Sequence, residues 1–189
     1  MGLLNILFGN SKHSDFVPDF NMSEYNNWLI FLGNGGTSEE WERLKAKNRW
    51  IFIDDETEKF LKYQEEVKPI SDRYYNLLDK IQKDWSVLYN LNNYKGSLAN
   101  TIERECIEAI DLFERMYRTN LKYGESSPTN IPAFKRLAML YEKQGRFEES
   151  VGICKQALSY GMDERGRMAK MIKKAGRKPS EEELSLLEQ

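Results

Sequence analysis

The sequence predicts an all-α protein, and three apolar patterns carry that prediction. Between Ile131 and Gly161, apolar and small residues fall in steps of three and four on both sides of a Gln144-Gly145-Arg146 turn. Phe60, Tyr63, Val67, Ile70, Tyr74, Leu77, Ile81, Trp85 and Leu88 keep the same spacing over about eight turns. Ile102, Cys106, Ala109, Ile110, Phe113 and Met116 take it up again after a polar break. The expected organisation is an N-terminal segment of short helices over 1–56, an antiparallel hairpin of long helices over 57–120, and a helical hairpin with closing helices over 121–189.

Composition bounds the function classes. The 189 residues carry a formal net charge of −2, with 40 % hydrophobic, 12 % aromatic and 31 % charged residues. That is enough apolar material for a core under a charge-laced surface, and too balanced a charge for general nucleic-acid binding. Cys106 and Cys154 are the only cysteines and both fall on apolar helix faces, so they read as buried free thiols in a reducing, cytoplasmic setting. With His13 the single histidine, no zinc site of the usual Cys/His kind is expected, and no cofactor signature is present.

Residues 1–9 are apolar but lack the basic start and cleavage site of a signal peptide. Ile6 stands where a myristoylation signal has Ser or Thr, so the expectation is a turn tucked onto the core, with a short membrane foot as the rival. No run approaches the ~20 apolar residues of a membrane span. Residues 10–22 read as a loop with Phe16, Val17 and Phe20 as anchors. Ser23 opens a short helix through Trp28, Leu29 and Phe31, which Gly33, Gly35 and Gly36 end. That glycine cluster lacks the Gly-Lys-Ser/Thr ending of a phosphate loop and reads as a flexible link. Thr37 and Glu40 form a capping-box pattern for the next helix. Residues 28–32 and 50–53 are open between helix and strand, with Trp50–Ile53 expected as an apolar connection buried under helices. Asp54, Asp55 and Glu56 suit a helix N-terminus, where the dipole favours negative charge.

The long stripe from Phe60 to Leu88 contains Pro69, which predicts a kink or break near Val67. Tyr75, Leu78 and Tyr89 widen the stripe beyond a coiled-coil seam, so packing within the chain is expected over dimerisation. Asn90–Ser97 is the turn. The helix from Leu98 to Tyr117 completes a hairpin without making a proper second repeat. Lys122–Asn130 is a loop.

In the hairpin from Ile131, Asn130 is the expected N-cap, Pro132 suits the first turn, and Gly145 suits the left-handed residue that ends a helix. Phe134, Leu137, Ala138, Tyr141, Gly145, Ser150, Cys154 and Ala157 fall at the steps of a tetratricopeptide repeat, which the segment resembles. Ser150 stands where Ala is usual, Cys154 where a larger apolar residue is usual, and Met162 where Pro often closes the repeat. The resemblance covers about one sixth of the chain and implies an α-α superhelix or bundle of stacked hairpins. It also implies that the first helix lines a concave groove, which places Lys135, Arg136, Met139 and Lys143 at partner-binding positions. Met168, Met171, Ile172 and Ala175 form a further stripe, like the start of another repeat or a closing helix; Gly176 and Pro179 end it. Ser180 caps a last helix gripped by Leu184, Leu186 and Leu187.

No catalytic constellation emerges, so the expected function is a non-enzymatic interaction or scaffold module. Its expected partner is another protein or an acidic peptide. The rival is a peripheral membrane or nucleic-acid-associated protein using residues 1–9 and the basic helix 165–178. Arg165, Arg167, Lys170, Lys173, Lys174, Arg177 and Lys178 give that stretch its charge, and no aromatics interleave them, which makes nucleic acid the weaker candidate.

Overall fold

A computed structural model describes residues 13–188. They form eight α-helices and, among the described residues, no strand. The all-α class is therefore the observed one. The chain divides into two compact units, the first ending at Glu65 and the second beginning at Glu66.

The first unit holds a single 3-10 turn, His13–Asp15, then α1, Glu24–Gly33, α2, Ser38–Asn48, and the first turns of α3, Asp55–Leu91. Residues 28–32 are thus helical. The Ser23 side chain caps α1 through the Asn26 N–H, and Thr37 and Glu40 form the reciprocal capping box of α2. An aromatic cluster fills the interior: Phe31 and Trp41 are buried, with ring centroids 5.6 Å apart, and Phe16, Trp50 and Phe52 pack around them. Glu58, at the start of α3, is buried and accepts from the Ser23 N–H and, at 2.8 Å, from Asn26 Nδ2. Burial opposes its ionisation, but Lys62 and those donors outweigh it and hold the carboxyl down at about 2. Three sequence expectations change here. Of the expected loop anchors, Phe16 packs in the cluster, whereas Val17 is 83 % exposed and Phe20 51 %. The glycine turn is a packed element: a Cβ on Gly36 would come within 2.2 Å of the buried Phe31 ring. The 50–53 connection is not buried throughout, since Ile51 is 86 % exposed while its neighbours face the cluster; a single parallel bridge, Ser23 to Ile53, is its only strand-like feature.

The second unit contains the rest of α3, then α4, Ser97–Tyr123, α5, Pro132–Gln144, α6, Phe147–Ser159, α7, Arg165–Lys174, and α8, Glu181–Glu188. Of the kink or break expected near Val67, the break does not occur: helix α3 continues through Pro69. Pro69 is exposed and removes only one backbone donor, and the burial of Val67, Tyr74, Ile81, Trp85 and Leu88 holds the helix on both sides of it. These residues are buried by the chain itself, in agreement with packing inside one molecule.

Helices α3 and α4 run antiparallel, as a ladder of side chains shows: Glu66 meets Lys122 at 2.6 Å, Tyr74 meets the Phe113 ring, and Arg73 Nε donates to Glu108 at 2.8 Å. Helices α5 and α6 follow as a tight hairpin. Gly145 takes the left-handed conformation at φ 79° that reverses the chain, and Pro132 occupies the first turn. The N-cap is Ile131 rather than Asn130, because a residue preceding proline is pushed to extended backbone; Ile131 sits at φ −116°, ψ 93°. Ala138, Cys154 and Ala157 are fully buried, and the Ser150 hydroxyl donates to the Ala138 carbonyl at 2.9 Å. Met168, Met171 and Ile172 of α7 join Ala138, Val151 and Cys154 in one core. Leu186 and Leu187 of α8 pack against that core, whereas Leu184, expected to share in the grip, is 45 % exposed.

Side-chain bonds define two rows in this unit. Arg136 on α5 reaches Gln82 on α3, and Glu142 on α5 reaches α7. In the other row, Arg146, the residue before α6, and Gln156 within it reach Glu103 and Glu114 of α4, and Lys155 of α6 reaches Glu182 of α8. The unit is a set of packed helical hairpins, compatible with a helical repeat.

Replacing Leu137 with Ala, inside this core, should lower the stability of the second unit by about 3 kcal/mol in chemical denaturation. Replacing Gly36 with Ala should cost the first unit about 2 kcal/mol by displacing the Phe31 ring.

Candidate functional site

Lys135, Arg136, Met139 and Lys143 occur on α5 at steps of one, three and four residues, so they span a single broad face. Lys135 and Lys143 are exposed; Arg136 and Met139 are half-buried. The structure brings them together with Trp85 of the long apolar stripe and with Gln82 and Tyr94, which periodicity did not single out. The Arg136 guanidinium lies 5.1 Å from the Trp85 ring centroid, and its Nη2 donates to Gln82 Oε1 at 2.8 Å. Lys143 Nζ lies 5.5 Å over the Tyr94 ring. Burial lowers the Arg136 pKa from its ordinary value, and a guanidinium stays charged at neutral pH regardless.

Among the described residues, no carboxylate forms an ion pair with Lys135, Arg136 or Lys143. The contrast with the flanking residue Glu142 is sharp. Its carboxylate meets Arg167 at 2.8 Å, Lys170 at 2.8 Å and Lys174 at 3.0 Å, all from α7. Burial opposes ionisation of Glu142, but Lys170 and Lys174 outweigh it and bring the carboxyl to about 2.

The basic stretch 165–178 is consequently not an open cationic face. Arg165 pairs with Asp163, Arg167 with both Glu142 and Glu164, and Arg177 with Glu148 at 2.7 Å and Glu183 at 2.6 Å. Only Lys173 and Lys178 form no ion pair among the described residues. The acids nearest in sequence just beyond the stretch are Glu181–Glu183. Of these only Glu183 meets the basic stretch, while Glu142 and Glu148 do most of the balancing from α5 and α6. Nothing in the sequence signals this, because Glu142 is 25 residues from the nearest cation it meets.

Cys106 and Cys154 are free and buried. Desolvation, reinforced by Glu105 for Cys106 and by Glu164 for Cys154, pushes both thiols up to about 12, which leaves neither as a thiolate nucleophile at neutral pH. His13 packs edge-on against Phe31, 5.6 Å between centroids. Residues 1–9, expected as a turn tucked onto the core with a membrane foot as the rival, lie outside the described residues. Among the described residues, no helix is long and apolar enough to cross a membrane. No protein-family model, curated protein or solved structure matches this chain.

The Glu142 cluster sets a pH dependence. Its folded-state pKa of about 2 lies below its ordinary 4.5, so its contribution is present above the ordinary value and is lost as pH falls through the folded one. Because Lys170 and Lys174 are largely exposed, solvent screening discounts the shift to about 1–2 kcal/mol. Glu142→Gln should lower stability at pH 7 by that amount and flatten the acid side of the stability profile, measured by denaturant titration from neutral pH down to the acid limit.

Proposed function

We propose that the second unit is a tetratricopeptide-like, non-enzymatic interaction module that holds an acidic segment of another protein along α5. The observation that carries this reading is the contrast in charge pairing. Most cations of the neighbouring basic stretch are neutralised by a carboxylate of this chain, whereas Arg136 and Lys143 rest on aromatic rings and Lys135 projects outward. A guanidinium over an indole is fixed in direction but not neutralised, so its remaining donors stay available for a carboxylate. Met139, between the cations, offers a soft apolar contact that adapts to a partner's shape. Acidic peptides bound by charge-assisted hydrogen bonds need this combination of oriented donors and a small apolar floor.

The stacked hairpins support the repeat reading. So does the match between the buried positions Phe134, Leu137, Ala138, Tyr141, Ser150, Cys154 and Ala157 and the resemblance noted in the sequence. Two buried free thiols suit a reducing, cytoplasmic compartment. The rival reading through the basic helix is weakened by the internal pairing of Arg165, Arg167, Lys170, Lys174 and Arg177.

The test is affinity enrichment from the native source, with the intact chain and the Lys135→Glu/Lys143→Glu variant as baits. Both positions are exposed, so the variant should keep its helical circular dichroism. Acidic partners should bind it roughly tenfold more weakly, since two favourable contacts become repulsive. Equal recovery of every partner by both baits would rule out the α5 face as the binding surface.

A further inference from the structure

A recess in the first unit has a lining that the α5 reading does not use. It encloses about 410 Å³ between α1, α2 and the chain entering α3. Tyr25 and Trp28 form one corner, with ring centroids 5.7 Å apart and planes inclined by 41°. Trp41, itself buried, and Ile53 add apolar lining. Four acidic residues share the lining with these rings: Glu24, Glu42, Asp54 and Asp55.

The charges do not cancel. Lys45 bridges Glu24 and Glu42, and it is the one cation paired with any of the four among the described residues. Four carboxylates against one ammonium leave a net charge of minus three. The N-terminus of α3 opposes this with roughly half a positive charge, too little to reverse the sign. Asp54 accepts from the Thr57 N–H at 2.6 Å, a bond that holds its carboxyl below the usual range, so it contributes a full negative charge at neutral pH.

Aromatic faces rimmed by carboxylates select cations, and the apolar lining decides which kind. A metal ion needs converging oxygen or nitrogen ligands, and among the described residues no group of three His, Cys, Asp or Glu is placed to hold one. A primary ammonium is compact and strongly hydrated, and gives up water reluctantly to enter an apolar corner. An alkylated ammonium carries its charge on a methyl-covered surface, which gains from contact with indole and phenol faces while the lining carboxylates supply long-range attraction. The volume lies at the small end of ligand sites, which fits a head group rather than an extended molecule.

We propose that the recess binds a quaternary or otherwise methylated ammonium group, with Tyr25 and Trp28 as its aromatic walls and Glu42 and Asp55 among its counter-charges. This chemistry reaches the protein either as a small free quaternary amine or as a methylated lysine side chain. The site shares no residue with the α5 surface, so the two readings stand or fall separately.

The experiment is an NMR titration of the intact chain with tetramethylammonium chloride, following the Trp28 indole N–H. Sodium chloride at equal ionic strength and tert-butanol, a neutral molecule of similar shape, serve as controls. The expected result is a saturable shift at millimolar tetramethylammonium that neither control reproduces. Tyr25→Leu and Asp55→Asn alter exposed side chains and should each weaken binding by about threefold with the rest of the spectrum unchanged. A trimethyl-lysine peptide that binds at least about tenfold more tightly than tetramethylammonium would name a side chain as the source, and the reverse order would name a free amine. Equal shifts with tert-butanol, a matching response to magnesium, or no saturable shift in a spectrum of the folded chain would each overturn the proposal.

Discussion

Helices α5 and α6 close on one another because the residues between them are small. Ala138, Ser150, Cys154 and Ala157 are all buried, and none carries a side chain long enough to hold the backbones apart. The one polar group among them, the Ser150 hydroxyl, is satisfied by the Ala138 carbonyl. That bond explains why a serine is tolerated at a position where alanine would serve: its desolvation is offset within the hairpin. Gly145 makes the reversal short enough for the two helices to meet along their whole length. The pair then offers Val151 and Cys154 to Met168, Met171 and Ile172, so α7 docks on a surface that exists only once α5 and α6 are together. This is how stacked hairpins bury what a single hairpin leaves exposed.

Charge is distributed over the second unit by the same geometry. Once α7 lies beside α5, three of its cations converge on Glu142, and Arg177 is shared between Glu148 and Glu183. A stretch that reads as strongly basic becomes nearly neutral in place. On the opposite flank of α5 the neighbours are Gln82, Trp85 and Tyr94, which orient cations without cancelling them. The difference between the two flanks therefore arises from which helix each one faces. Local charge density, taken along the chain, ranks the two surfaces in the opposite order.

In the first unit the interior is aromatic rather than aliphatic. Phe31 and Trp41 are enclosed by three further rings, and flat side chains in tilted and edge-on contact fill space with few atoms to spare. That explains the demand for glycine at position 36, where a single carbon would enter the Phe31 ring. Glu58 links the start of α1 to the start of α3 through hydrogen bonds that only an ionised carboxylate can accept in full.

Much of the architecture was legible in the sequence because helices write their buried side into spacing. Phe134, Leu137, Tyr141, Cys154 and Ala157 announced the hairpin, Thr37 with Glu40 announced a cap, and Gly145 announced the reversal; each depends on residues within two turns of one another. The local rule was less reliable where longer-range packing competed with it. Pro69 failed to end α3 because burial on both sides outweighed one missing hydrogen bond, and Ile131 displaced Asn130 as a cap because the following proline governs its backbone. The surfaces were decided by tertiary structure alone. Whether a lysine meets a carboxylate, an aromatic ring or water is settled by helices far apart in the chain, and side-chain charge has no periodicity that reveals its partner. The sequence by itself determined which faces are dry; folding determined which charges remain.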